Sequence, residues 1–173
     1  VLEHPAVFTM GRTGRLENLL ASEDDLAKDD IKVLRVDRGG DITFHGPGQI
    51  VLYPIIDLRR RERDLHRYLR NLEDVVIKFL KLYSVQGRRL DGKTGVWVGG
   101  EKIAFIGIAA SDWITYHGVS VNVNVDLRYF SMIRPCGLNG VETTNLNKIL
   151  NKKTDIPEAK ERLISSFADV FGT

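Results

Sequence analysis

Apolar positions change period several times along this chain of 173 residues, and each change marks an element. Val7-Phe8-Thr9 reads as a short strand. The polar run Ser22 to Lys28 reads as a helix with Ser22 as its N-cap, and Ile31 to Val36 as a strand. Gln49 to Ile56 is an apolar, β-branched run ended by Asp57, which predicts a central strand. From Asp64 to Tyr83 the period becomes helical, with Leu65, Leu69, Leu72, Val76 and Leu80 as the buried stripe. Val96-Trp97-Val98 and Lys102 to Ala110 flank Gly99-Gly100, a pair suited to a tight hairpin. Val119, Val121, Val123 and Val125 alternate with Ser120, Asn122 and Asn124, the period of a half-buried strand. Its polar face is unusual, since asparagine disfavours strands; such a stripe must find partners or line a cavity. Thr143 to Asn151 and Pro157 to Phe171 read as terminal helices, the second with Pro157 at N1 after Asp155. Hairpins mixed with helices predict an α+β fold: a mixed central β-sheet flanked by helices rather than a doubly wound one.

The length suits one domain, residues 1 to 173. Formal net charge is +2, too small to imply nucleic acid. No apolar stretch approaches the roughly 18 residues of a membrane helix, and no signal peptide precedes the first strand. One cysteine argues against a disulfide scaffold and fits a reducing compartment; the expectation is cytoplasmic, or mitochondrial or plastid in a eukaryote. The chain opens on Val1, as though entered in mid-sheet, so preceding residues are expected to be missing. Arg59, Arg63, Arg67 and Arg70 have the spacing of one helix face and read either as a solvated face or as a docking patch for an acidic partner.

Three blocks carry candidate chemistry. Arg38-Gly39-Gly40 to His45-Gly46-Pro47-Gly48-Gln49 sets two glycine turns around a short strand, Ile42-Thr43-Phe44, with a cation and a histidine beside backbone that a ligand can approach. Cys136, in Pro135-Cys136-Gly137, can form neither an internal disulfide nor a thiolate cage, which leaves a small buried filler or a nucleophile. A free thiol has pKa about 8.5, so a nucleophile here needs a base or cation: His45, His117 or Lys102. Lys102 taken alone reads as a solvated hairpin lysine; buried against Ile103, Phe105 and Ile106 it would titrate nearer neutral pH. No metal-ligand spacing is present, so His45 reads as an orienting residue.

Together these blocks resemble the lipoyl(octanoyl) transferases, also called the lipoate-protein ligase B family. The resemblance runs from Glu3-His4-Pro5 through the Arg38 to Gln49 block and Tyr53 to Leu58. It continues through Gly95 to Val98, Lys102 to Gly107 and His117 to Asn124, and ends at Pro135-Cys136-Gly137. It implies a biotin/lipoate protein ligase-like fold and an acyltransferase with no cofactor and no metal. Cys136 would carry the acyl group as a thioester and Lys102 would activate it. Arg38, Gly39, Gly40, Asp41, Ile42, Thr43, Phe44 and His45 would form the first substrate-binding segment. Phe105-Ile106-Gly107 and Gly118-Val119-Ser120 would form the other two. The implied donor is octanoyl-acyl carrier protein. The implied acceptors are lipoyl domains of 2-oxoacid dehydrogenase complexes and the glycine cleavage H protein. Two departures stand out: Asp41 occupies a position where the family often has glutamine, and the family's N-terminal strand and helix are not in this sequence. Alternatives are an ATP-dependent lipoate or biotin ligase on the same fold, a cysteine hydrolase, and a non-catalytic carrier-protein binding module.

Overall fold

The computed structural model describes residues 1 to 134 and 140 to 172. Strands β1 (Val7–Met10), β2 (Lys32–Arg35) and β3 (Ile42–His45) form a mixed three-stranded sheet in the order β2-β1-β3, with β1 parallel to β2 and antiparallel to β3. Strands β4 (Gln49–Leu52), β5 (Arg88–Leu90), β6 (Lys93–Val98), β7 (Glu101–Ser111) and β8 (Ile114–Asn122) form an antiparallel sheet in the order β4-β8-β7-β6-β5. The helices are α1 (Glu23–Lys28), α2 (Leu65–Lys81), α3 (Leu146–Leu150) and α4 (Ile156–Phe171). The α+β prediction of mixed sheet and flanking helices holds, with the strands divided between two sheets.

Local chemistry starts and stops the helices. Ser22 and Asp25 form a reciprocal capping box at α1. Asp64 accepts from the backbone N–H groups of His66 and Arg67 and opens α2, while Lys78 and Lys81 lie near its C-terminal end, where cations are favoured. Asn145 caps α3; Asp155 caps α4, whose first turn contains Pro157. Helix α2 packs on the five-stranded sheet and α4 against α2, through a shared core that includes Leu72, Val76, Phe79, Val96, Val121 and Leu163. A second core, with Phe8, Ile42, Phe44, Phe105 and Phe130, lies under the small sheet.

Four predictions need correction. The run from Gln49 is an edge strand of the larger sheet, not a central one, and ends at Leu52, ahead of Pro54. Its outer side is closed by Leu2, which exchanges backbone hydrogen bonds of 3.0 and 2.8 Å with Val51. The valine strand, expected to be half-buried, is buried on both faces from Val119 to Asn122, because Ser120 turns into a cavity and Asn122 onto Gln49 and Thr144, and it ends before Val125. Leu65 is 37% exposed, since α2 begins there before reaching the sheet; Tyr68, Val75 and Phe79 join the buried stripe instead. The four-arginine face does not form. Asp57 caps a 3-10 turn, Leu58–Arg60, and Asp64 caps α2 separately, so Arg59 and Arg63 precede the helix. Arg59 forks onto Asp57 through two 2.8 Å bonds, Arg67 meets Glu62 at 2.8 Å and Arg70 meets Glu73 at 2.7 Å.

Candidate active site

A cavity of about 210 Å³ opens where the two sheets meet. Its walls are built by pairing. On the large sheet Phe105 lies opposite Ser120, Ile106 opposite Val119 and Gly107 opposite Gly118, so the second and third predicted segments are cross-strand partners. All six line the cavity. From the small sheet and its loop come Arg38, Gly39, Gly40, Asp41, Ile42, Thr43 and His45. Phe44 is the exception within that block. Its ring packs in the second core against Phe8 and Tyr129, with centroids 5.3 and 4.5 Å away.

Arg38 is buried, 8% exposed. Its guanidinium donates to Thr9 O at 2.7 Å, Thr9 Oγ1 at 3.0 Å and Gly39 O at 3.0 Å. Gly107 permits this placement, because a Cβ there would fall 2.8 Å from Arg38 Cδ and 2.9 Å from Gly39 O. Gly39 N–H bonds Ile108 O at 2.9 Å and staples the loop to β7. The additional charge of Asp41 is taken up locally. Its carboxylate accepts from Asn18 Nδ2, from Arg15 N at 3.1 Å and from Ile42 N at 2.7 Å.

His45 is buried, and its Nδ1 lies 2.7 Å from Gln49 Oε1. Gln49 Nε2 donates to Phe44 O and to Asn122 Oδ1, so Oε1 is the accepting atom and His45 Nδ1 carries the proton. Nε2 is then an acceptor with no hydrogen-bond partner among the described residues, on a ring that lines the cavity. Burial pulls the His45 pKa down to about 4, against the opposing effect of the hydrogen bond it donates to Gln49, so the ring is neutral near pH 7. Asn122 completes the chain by donating to Thr144 O at 3.0 Å. The polar stripe of the valine strand thus serves both uses open to it: Asn122 is satisfied by partners and Ser120 lines the cavity. Thr43 Oγ1 is buried and has no hydrogen-bond partner among the described residues.

Lys102 is 2% exposed, which rules out a solvated hairpin lysine. Its Nζ lies 4.9 Å from the centroid of Trp97 and 4.7 Å from that of Phe105. It is not part of the cavity lining; its strand continues into the lining at Phe105. Cys136 lies outside the described residues. The chain after it returns to Lys102, whose N–H bonds Glu142 O at 2.8 Å and whose carbonyl accepts from Thr144 N at 3.0 Å.

Sequence reading missed part of the lining. His4 and Tyr53, joined by a 2.8 Å hydrogen bond, both face the cavity; His117, one of the bases the sequence offered, faces it too. Burial lowers the His4 pKa and raises that of Tyr53. His117 sits at φ +57 with Nε2 2.7 Å from Asp37 Oδ1, and Tyr116 Oη donates to Asp37 Oδ2 at 2.6 Å. These hydrogen bonds hold the Asp37 carboxyl below its usual range. Asp37 precedes Arg38 directly, but no local pattern marks a pairing across 80 positions. Among the described residues no cluster of three histidine, cysteine or acidic groups could hold a metal, and no helix is long and apolar enough to cross a membrane.

A family model, the lipoyl protein ligase A/B catalytic domain, matches residues 1–168. An octanoyltransferase of Flavobacterium psychrophilum is 46% identical over 176 aligned positions, covering 98% of this chain and 76% of the relative. Among solved structures, a lipoate-protein ligase A bound with ATP superposes with TM-score 0.75 at 18% identity, over 98% of this chain and 70% of its own. A bi-partite lipoate protein ligase from Thermoplasma acidophilum, described with its E2 lipoyl domain, gives TM-score 0.73 at 17% identity, over 98% and 69%. At such identity these two structures speak for the fold, and the fold is the lipoate-ligase one. With the match spanning nearly all of its length, the chain belongs to the lipoyl protein ligase A/B catalytic-domain family.

Proposed function

We propose that this chain is an octanoyltransferase of lipoate biosynthesis, moving an octanoyl group onto a lysine of a lipoyl domain. The observation that carries the reading is the cavity between the sheets, closed by Phe105, Ile106, Val119 and Ile42 and edged by Arg38, His45 and the Thr43 hydroxyl. Its apolar walls suit an alkyl tail. Burying about seven CH2 and CH3 groups at ~0.8 kcal/mol each supplies roughly 5 kcal/mol, enough to favour a medium chain over acetyl. Relatives named octanoyltransferase, such as the one 46% identical, support the same acyl group.

The proposed donor is the phosphopantetheine thioester of acyl carrier protein. The Cys136 thiolate attacks its carbonyl carbon, and the carrier thiol leaves with a proton. A lysine amine of the acceptor then attacks the Cys136 thioester; an amide forms and the Cys136 thiol is restored. Thioester exchange is nearly balanced and thioester-to-amide transfer runs downhill, so no nucleotide is needed to drive the sequence. Lys102 takes the role of activating Cys136, as a neutral amine accepting its proton or as an ammonium stabilising the thiolate. What supports this is the burial of Lys102 and the return of the chain beyond Cys136 to the Lys102 backbone. Arg38 to His45, Phe105 to Gly107 and Gly118 to Ser120 are proposed to bind the acyl group, with Phe44 acting from behind as packing. Lipoyl domains of 2-oxoacid dehydrogenase complexes and the glycine cleavage H protein are the proposed acceptors. A neighbour of the same fold is described with an E2 lipoyl domain.

The test is an intact-mass spectrum after mixing the protein with octanoyl carrier protein. The expected result is one octanoyl adduct on Cys136, discharged when a lipoyl domain is added. Transfer that requires ATP and free octanoate would instead identify a ligase, and release of free octanoate a hydrolase.

A further inference from the structure

Glu73 on α2 is an acidic side chain buried completely, 0% exposed, and it lies outside the cavity lining. Its oxygens have different partners. Oε2 accepts from Arg70 Nη1 and Arg89 Nε, each at 2.7 Å. Oε1 accepts the backbone N–H of Gly95 at 3.0 Å. Arg89 also reaches Asp74 at 2.7 Å and the Arg70 carbonyl at 2.8 Å, so the charged half of the network is complete without Gly95.

Gly95 is held at φ +124 in β6, a backbone state open to glycine and strained for other residues. A Cβ there would fall 2.5 Å from Ala104 O, 2.7 Å from Lys102 Cε and 3.3 Å from Lys102 Nζ. The Lys102 side chain therefore lies across the Gly95 backbone, with the Trp97 and Phe105 rings near its Nζ. The β6–β7 ladder carries a bulge at this point, on β7. Val96 pairs with Ala104 but Trp97 pairs with Lys102, which leaves Ile103 as the extra residue.

We propose that Glu73 is a positioning residue for Lys102. It fixes the Gly95 N–H, and the Gly95 backbone is the floor on which the Lys102 amine is set. The inference deepens the reading of Lys102 as the group that activates Cys136, and it rests on that reading. A displacement of about 1 Å in a reacting group can cost on the order of a hundredfold in rate.

The experiment pairs a geometric readout with a functional one. In protein carrying 13C-labelled lysine, the Lys102 ε-methylene signal should be displaced by the Trp97 and Phe105 ring currents, and it is assigned by its loss in Lys102→Ala. Glu73→Met keeps the volume but removes the acceptor, and Gly95→Ala obstructs the floor. Both should move this signal toward ordinary lysine positions and lower octanoyl-transfer kcat about 10- to 100-fold at nearly constant KM. Glu73→Gln retains an oxygen for Gly95 and should restore most of the signal. Arg89→Met cuts only the charged half; it should lower the unfolding temperature and leave signal and kcat in place. A Lys102 signal unmoved by both Glu73→Met and Gly95→Ala overturns the proposal, as does one moved equally by Arg89→Met. A signal that moves while Lys102→Ala transfers at full rate would uphold the positioning and remove Lys102 from the chemistry.

Discussion

Arg38 and Lys102 are both buried cations near one cavity, yet they are held in different ways. Arg38 comes from the loop ahead of β3, and its fork is engaged by the oxygens of Thr9 and Gly39. Lys102 stands on β7 with aromatic rings on its amine and a glycine backbone beneath its side chain. A guanidinium keeps its proton at any ordinary pH, so a buried arginine tied to backbone oxygens serves as a fixed strut with a fixed field. An amine, unlike a guanidinium, is a titratable group with a single nitrogen, and its charged form is attracted to π faces. On the proposed reading Arg38 gives the cavity wall its shape and Lys102, outside the lining, takes part in the chemistry, a contrast that can be broken experimentally.

The largest effect should come from the chemical side. Lys102→Arg keeps a charge but removes a titratable amine, and octanoyl transfer should fall by about 10²- to 10⁴-fold, as for loss of a general base. Steady-state kinetics and the pH profile of Cys136 alkylation measure it. A variant that transfers at the native rate would erase the distinction.

Next is His45, whose folded pKa is lowered from 6.5 to about 4 mainly by burial. Below pH 6.5 the unfolded chain takes up a proton that the folded ring refuses. The stability from this group is therefore full above pH 6.5 and is lost as pH falls toward 4, by roughly 3 kcal/mol at 1.36 per unit. His4 shifts in the same direction through burial and adds to the loss. Urea midpoints measured from pH 7.5 to 4 should show the decline, and His45→Gln should flatten much of it. An unchanged slope in that variant would mean that His45 is not the group refusing the proton.

Arg38→Lys should cost less, about 1–2 kcal/mol, because one ammonium cannot reproduce the fork on Thr9. It should raise KM for the octanoyl donor with kcat largely kept. A loss confined to kcat would give Arg38 a chemical task and undo the comparison. Smallest is Thr9→Val, which removes one acceptor and leaves the Thr9 carbonyl in place; thermal unfolding should register about 1 kcal/mol.

What the sequence determined by itself was local. Period marked α2, Gly99-Gly100 marked the β6–β7 hairpin and Ser22 declared its cap, because turns, capping and amphipathicity act within a few residues. The glycine-rich block around Arg38 was legible as a candidate from its composition, and the segments at Phe105 and Gly118 from the resemblance to a family; all three line the cavity. That the last two pair residue for residue was not legible. Tertiary structure alone decided which faces meet. It buried both sides of β8 from Val119 to Asn122, moved the Gln49 run to an edge, turned Phe44 out of the cavity and broke the arginine face at Asp57 and Asp64. It also joined Asp37 to His117 and Glu73 to Gly95. Side-chain period states that a face is apolar or polar, but the partner opposite is chosen by packing across tens of residues, and a buried charge such as Glu73 is tolerated only because that packing brings arginines and an N–H to it.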